Sequence, residues 1–317
     1  MVRIILDVDT GIDDALAILY ALARPGVALE AVTTVYGNVD VLSATRNTLQ
    51  ILEAAGRPDV PVAMGAARAL TRPFTKKGSV IHGANGLGGV ELPPPAAAPL
   101  DAWAPDLIVE RVRAHPGEIV LVPVGPLTNI AQALMRAPDI ASKLKRIVFM
   151  GGTIWHPGTP GLPSPMAEVN IFNDPEAART VFASGAPLTM IGLDVTMRTR
   201  LTAAQIERIS RAGNPATRAA MEAARSYLAA YQRQYPGIDY CALHDPLAVA
   251  VAEVADVVAL ERMRLDVECL GEITRGQIVA DNRKVAGVEK NADVAVGVDN
   301  ARFEAWFAEA LAGLSGR

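Results

Sequence analysis

Apolar, β-branched runs alternate with helical patterns along most of this chain. The strand-like runs are Arg3 to Leu6, Leu29 to Val35, Ile119 to Val124, Arg146 to Met150, Leu188 to Ile191, Arg264 to Val267 and Ile278 to Ala280. Apolar residues at helical spacing fill Asp13 to Leu22, Val41 to Ala55, Asp106 to Ala114, Asn129 to Arg136, Pro175 to Ala183, Pro215 to Arg233 and Arg302 to Leu311. Strands that are apolar throughout need cover on both faces, so the pattern predicts an α/β fold with a mainly parallel sheet between two helical layers. Two Gly- and Pro-rich segments interrupt it, Thr71 to Trp103 and Trp155 to Pro165. Irregular loops this long in a compact domain often act as lids or binding loops. The alternation resumes directly after each, so the expectation is one domain over residues 1–317.

Polar groups collect where strands should end. Asp7, Asp9, Asp13 and Asp14 fall within eight residues, between the apolar run Val2 to Leu6 and the first helical pattern. The carboxyl ends of parallel strands are where open α/β sheets place their ligands. Carboxylates converging on one spot repel each other and stay ionised together only when a cation joins them. An all-oxygen set suits a hard ion such as Ca²⁺ or Mg²⁺. Helix capping accounts for part of the cluster: Asp13 and Asp14 favour the helix dipole, and Asp9 or Thr10 can be the N-cap. It does not account for four acids.

Further clusters follow the same rule. Asn38 closes the second strand and is either a turn residue or part of a site. Val124 lies between Pro123 and Gly125, which frees its carbonyl to face a cation; Asn129 after it can equally cap a helix. Glu168 and Asn170 stand two apart, which in an extended segment puts both on one face, suited to a ligand rich in hydroxyls. Asp174 before Pro175 reads as a helix N-cap. His244-Asp245-Pro246 opens an apolar stretch in which a buried Asp needs a partner or a metal. His115 and His156 lack such support and read as surface or loop residues.

Composition narrows the function classes. Half the residues are hydrophobic, the net charge is −4 and the pI is about 5.7. That gives no electrostatic case for a nucleic acid or an anionic membrane surface as partner. Cys241 and Cys269 are the two cysteines, too few for a disulfide framework or a Cys-based zinc site. They read as reduced core thiols of a cytoplasmic protein. The apolar run before Asp7 is too short for a signal peptide or a spanning helix.

Together these residues resemble the inosine-uridine-preferring nucleoside hydrolase family. The resemblance runs from the first strand to the last helix. It rests on Asp7-Val-Asp9-Thr-Gly-Ile-Asp13-Asp14, Thr-Thr-Val-Tyr-Gly-Asn38, Ile-His82-Gly, Val-Pro-Val124-Gly-Pro-Leu-Thr-Asn, Met150-Gly-Gly, Ala-Glu168-Val-Asn170, Asp-Pro-Glu-Ala-Ala and His244-Asp245-Pro. It implies an open, Rossmann-like α/β sheet and hydrolysis of the N-glycosidic bond of ribonucleosides to free base and ribose. It assigns Ca²⁺ to Asp9, Asp14, the main-chain oxygen of Val124 and Asp245, with Asp9 as general base on a water. Asp13, Asn38, Glu168 and Asn170 would hold the ribose hydroxyls. His244 would protonate the leaving base, with His82 and Tyr231 near that base. It also suggests a homodimer or homotetramer.

The sequence departs from the family in one stretch. An Asn that helps hold the 5′-hydroxyl in many members is absent from Gly161-Leu162-Pro163-Ser164-Pro165, where Ser164 is the remaining donor, and Val169 replaces a common Phe. Residues governing base choice would lie around His82, Tyr231, Gln234 and Tyr235. His244 and the Tyr-rich helix end favour a broad or pyrimidine-preferring enzyme. Two other classes compete. A haloacid-dehalogenase-type Mg²⁺ phosphatase would use Asp7 as nucleophile, but it leaves Glu168, Asn170, His244 and Asp245 without a role. A non-catalytic ribose or nucleoside sensor on the same fold would not need Asp9 and the full metal set.

Overall fold

The computed structural model describes residues 1–75, 81–281, 283 and 287–314, so part of the Thr71–Trp103 segment lies outside it. Strands β1 (Val2–Val8), β2 (Val27–Thr34) and β3 (Val62–Met64) lie side by side in parallel. β4 (Ile119–Pro123) pairs with the other edge of β1, followed outward by β5 (Arg146–Met150) and β6 (Leu188–Ile191), all parallel. β7 (Leu201–Thr202) and β8 (Tyr240–Cys241) form a separate short ribbon. β9 (Val258–Val267), β10 (Ile278–Asp281) and β11 (Ala292–Val298) finish the main sheet, with β11 parallel to β6 and β9 antiparallel to both β11 and β10. The nine-strand order is β10-β9-β11-β6-β5-β4-β1-β2-β3. The chain leaves β1 towards β2 and β3, then returns to β4 on the opposite side. The β1/β4 boundary is therefore a topological switch point, with a crevice at its carboxyl end.

Side chains of β1 show why this sheet must be covered twice. Ile4, Leu6 and Val8 pack into one core with α1 (Ile12–Ala23), α2 (Val41–Ala54) and the later helices, while Ile5 faces the second core. The second core is closed by α3 (Ala104–Ala114), α4 (Thr128–Arg136) and, after the short α5 (Val169–Asn173), α6 (Pro175–Phe182). The first is closed by α8 (Ala203–Ala212), α9 (Pro215–Gln234), α10 (His244–Glu253) and α11 (Asn300–Gly313), which follow the one-turn α7 (Leu193–Thr196). The predicted mainly parallel α/β sheet is the observed one.

Several local expectations are corrected. The N-cap of α1 is Gly11, not Asp9 or Thr10; Asp14 at N3 accepts the Gly11 N–H at 2.8 Å and the Asp9 N–H at 3.1 Å. Asn129 does not cap α4. It lies inside the first turn, where its side chain donates to Asp7 Oδ1 (2.7 Å) and the Thr34 carbonyl (3.0 Å) and accepts the Ala66 N–H (2.8 Å). Glu168 and Asn170 are not in an extended segment: Glu168 is the N-cap of α5, its carboxylate taking the N–H groups of Asn170 and Ile171. Asp174 caps α6 through the Ala177 N–H as expected.

Candidate active site

The β1–α1 turn sets the floor of a cavity of about 170 Å³ at the switch point, lined by Asp13, Asn38, Val124, Glu168, Asn170 and Asp245 among others. Asp9 and Asp14 lie directly beneath it, fully enclosed. Two glycines make this packing possible. A Cβ on Gly37 would run into the Asp9 carboxylate, and one on Gly11 would sit 2.7 Å from His82 Nδ1. Asn38 can therefore close on the acids: its N–H donates to Asp9 Oδ2 (2.6 Å) and its amide to Asp9 Oδ1 (3.2 Å) and Asp14 Oδ2 (3.1 Å).

Carboxylate oxygens of Asp13, Asp14 and Asp245 all lie within 4.8 Å of one another. Asp9 is not in that group; both its carboxylate oxygens accept from Asn38. The three-acid set thus differs from the expected metal ligands by substituting Asp13 for Asp9. Burial raises the pKa of every member of the cluster. Asp13 and Asp14 reach about 6, Asp14 with help from the neighbouring Asp13 charge. Asp9 and Asp245 rise well above the ordinary carboxylate value, through burial and then through the adjoining acids. Asp13 Oδ1 is buried without a hydrogen-bond partner. Crowded, dehydrated acids with an unsatisfied oxygen are the chemistry that a hard cation resolves, so the donor set fits one.

The wall beside the acids comes from α5. Glu168 is held by N–H groups of Gly152, Asn170 and Ile171, which offset part of the upward push that burial gives its pKa. Asn170 donates its amide to the carbonyl of Val124 at 2.7 Å and of Met150 at 3.2 Å. Its amide oxygen remains for a ligand. Thr159 lines the cavity with its hydroxyl accepting the Val169 N–H, whereas Ser164 is fully buried and does not line it. The hydroxyl nearest the site from this loop is therefore Thr159 rather than Ser164.

The opposite end is aromatic. His244, at the start of α10, meets Tyr231 OH through Nε2 at 2.5 Å and Thr196 Oγ1 through Nδ1 at 2.7 Å. Burial depresses its pKa to about 3 and that of His82 to about 4, so both rings are neutral at pH 7. His82 Nδ1 accepts the Ile12 N–H at 3.1 Å, and its ring stacks on Tyr227 with centroids 5.4 Å apart. Sequence reasoning misses Tyr227. It reaches Asp13 Oδ2 (3.3 Å) and Tyr231 OH (3.4 Å), and with Tyr231 and Tyr235 it forms an i, i+4, i+8 stripe along α9 and its C-cap. That spacing is the signal that could have found it. Asp7 points away from the cavity into Thr33 and Asn129, and burial raises its pKa to about 7. That position does not suit the nucleophile of a phosphatase.

Comparison with known proteins gives consistent matches. A sequence model described as inosine-uridine preferring nucleoside hydrolase matches residues 4–305. The pyrimidine-specific ribonucleoside hydrolase RihA of Salmonella arizonae is 39% identical over 308 residues, covering 97% of both chains. A purine-preferring ribonucleoside hydrolase from Gardnerella vaginalis superposes with a TM-score of 0.93 at 39% identity, covering 99% of each chain. A plant nucleoside hydrolase gives a TM-score of 0.92 at 33% identity, covering 98% of this chain and 99% of that one.

Proposed function

The chain belongs to the inosine-uridine preferring nucleoside hydrolase family, and from that premise we propose how its residues divide the hydrolysis of a ribonucleoside into base and ribose. The observation that carries the reading is the convergence of buried Asp13, Asp14 and Asp245 beneath a cavity with an aromatic, histidine-bearing end. Asp14, Asp245 and the Val124 carbonyl, with Asp9 or Asp13, would hold Ca²⁺. When bound, that ion supplies positive charge, which neutralises the acids and eases ionisation of a nearby water.

Asp9 takes the proton from the attacking water; the Asn38 N–H that it accepts keeps it oriented. Asp13, Asn38, Glu168 and Asn170 hold the ribose hydroxyls. Binding energy from these contacts positions the sugar, and their oxygens favour the oxocarbenium-like charge that develops at C1′. At the far end His244 serves the departing base. Its ring is neutral, so the proton comes from its own N–H or from the Tyr231 hydroxyl in contact with it. His82, Tyr227 and Tyr231 flank the base. The whole chain acts as one domain.

A broad or pyrimidine-preferring specificity draws support from the RihA relatives; the purine-preferring enzyme at equal identity is the counterweight. No helix among the described residues is long and apolar enough to cross a membrane. Two buried free thiols are in keeping with a cytoplasmic setting. Assembly as a homodimer or homotetramer follows from the resemblance and is tested by sizing in solution.

The decisive experiment measures ribose released from uridine, cytidine, inosine and adenosine, with Ca²⁺ and after chelation. Chelator-sensitive release is expected, with uridine among the better substrates. Absence of release from all four with bound Ca²⁺ would instead favour a nucleoside sensor.

A further inference from the structure

His244 is held at both ring nitrogens, on two different sides. Nε2 meets Tyr231 OH at 2.5 Å, and Tyr231 lines the cavity. Nδ1 meets Thr196 Oγ1 at 2.7 Å. Thr196 is fully buried on the one-turn α7 and takes no part in the cavity wall. Thr199, three residues on, grips the backbone that leads into His244. Its hydroxyl donates to the Thr196 carbonyl (2.7 Å) and accepts the Leu243 N–H (3.0 Å). One threonine thus fixes where α10 starts, and the other touches the ring.

The Thr196 hydroxyl has one proton to give, and its surroundings decide where it goes. Threonines inside other helices give theirs to the carbonyl one turn back: Thr45 to Val41, Thr48 to Ala44 and Thr180 to Glu176. Thr196 does not; among the described residues, His244 Nδ1 is the one partner of its hydroxyl. A threonine that accepted from Nδ1 would leave its own proton enclosed without an acceptor, which is costly. The hydroxyl therefore donates, and an accepting Nδ1 carries no hydrogen. The N–H of the ring is then on Nε2, the nitrogen on the Tyr231 side.

We infer that Thr196 is a positioning residue: it holds His244 in the Nε2–H tautomer, so that the hydrogen offered to the departing base lies on the cavity side of the ring. The inference rests on the hydrolase reading, with His244 serving the leaving base. An imidazole with its N–H on the substrate side acts as an electrophile without first becoming charged. As the C1′–N bond breaks, its electron pair stays on the base. The base takes up the Nε2 hydrogen, directly or through the Tyr231 hydroxyl. The proton that Asp9 draws from the attacking water replaces the one given up, so water is the sole co-reactant. In the opposite tautomer Nε2 would present a lone pair to the base, and this route would close.

The test uses the full-length protein with Ca²⁺, unmodified and as Thr196→Val, which keeps the volume and loses the hydroxyl, or Thr196→Ser, which restores it. Each is assayed on uridine or inosine, whichever is turned over faster, and on para-nitrophenyl riboside, whose phenolate leaves without a proton. In Thr196→Val the ratio of kcat on the nucleoside to kcat on the aryl riboside should fall ~10-fold or more, part of the ~10² to 10⁴-fold that a placed acid supplies. KM for the nucleoside should shift less than kcat, and Thr196→Ser should recover most of the ratio. A readout independent of turnover is nitrogen NMR of protein labelled in its histidine rings, with His244 assigned by its loss in His244→Gln. The unmodified protein should show Nε2 protonated and Nδ1 bare, a preference that weakens in Thr196→Val. An Nδ1–H ring in the unmodified protein, or equal losses on both substrates in Thr196→Val, overturns the inference and leaves the hydrolase reading standing. No cleavage of either substrate by the unmodified protein overturns both.

Discussion

Chelating the cation and raising the pH should destabilise this protein in a window set by its buried acids. Asp9 and Asp245 are 1% and 2% exposed, and their pKa values rise well above the ordinary carboxylate value of 3.8 through burial and then neighbouring charge. Without a cation the folded state therefore holds these protons to a higher pH than the unfolded chain does. A raised carboxyl pKa makes stability fall as pH rises from the unfolded value to the folded one. Below about pH 6.5 this trend is opposed. His82 and His244 have folded pKa values of about 4 and about 3, so the unfolded chain binds protons that the folded one refuses, and stability rises with pH. Above pH 6.5 the histidines drop out and the acids act alone, Asp7 at about 7 adding to the fall.

Each retained proton costs about 1.4 kcal/mol per pH unit. A proton that only the folded state held across the whole range from pH 6.5 to 8 would account for a decline of about 2 kcal/mol. At roughly 2 °C per kcal/mol for a chain of this size, each such proton lowers the melting temperature by roughly 4 °C. The assay is thermal unfolding followed by fluorescence across that range, in chelator and in millimolar Ca²⁺. With the ion bound the acids of the cluster are ionised in the folded state, and the slope should shrink to the part that Asp7 supplies. Asp245→Asn should make the slope in chelator shallower. A chelated protein whose melting temperature is flat or rises from pH 6.5 to 8 would refute the argument.

Three further outcomes are expected. Asp9→Asn should lower kcat by roughly 10³-fold, the middle of the range for general base catalysis, while ribose still protects the protein against heat. Asp194→Ala removes the carboxylate that accepts the N–H groups of Ile154, Trp155 and His156; limited proteolysis should cut the 154–165 loop faster, and KM should rise more than kcat falls. Asn129→Ala removes one of the two donors to Asp7 and the acceptor of the Ala66 N–H, which should destabilise by about 2–4 kcal/mol in a urea titration.

The frame of this fold is readable because parallel strands carry their own signature. Arg146–Met150 and Leu188–Ile191 match their predicted bounds, being short apolar runs between turn residues. β3 escapes because three residues give no period, and β11 because Asp293 and Gly297 break its apolar run at a sheet position where one neighbour is antiparallel. The acids of the site are legible from their density. What they touch is not. Asn129 reads as a cap, and only the return of β4 beside β1 shows it tying Asp7 to β2. Glu168 and Asn170 mislead through their spacing, since the helix that Glu168 caps runs for five residues, too few for a periodic signal.

The two halves of the cavity are built from different material. The acids hang from strand ends and helix starts at the centre of the sheet, with glycine backbones pressed against them. The facing surfaces come from the C-terminal half of α9 and from the loops around Ile81 and Thr159. Heritable change is therefore tolerated unevenly. A mutant library spread over 159–162 and 233–235 samples new leaving groups and sugar substituents while the hydrolytic apparatus stays intact. One spread over 7–14 or 36–38 mostly returns proteins that no longer fold around a cation. Substrate range in this scaffold can drift by small steps, whereas the reaction itself is held fixed.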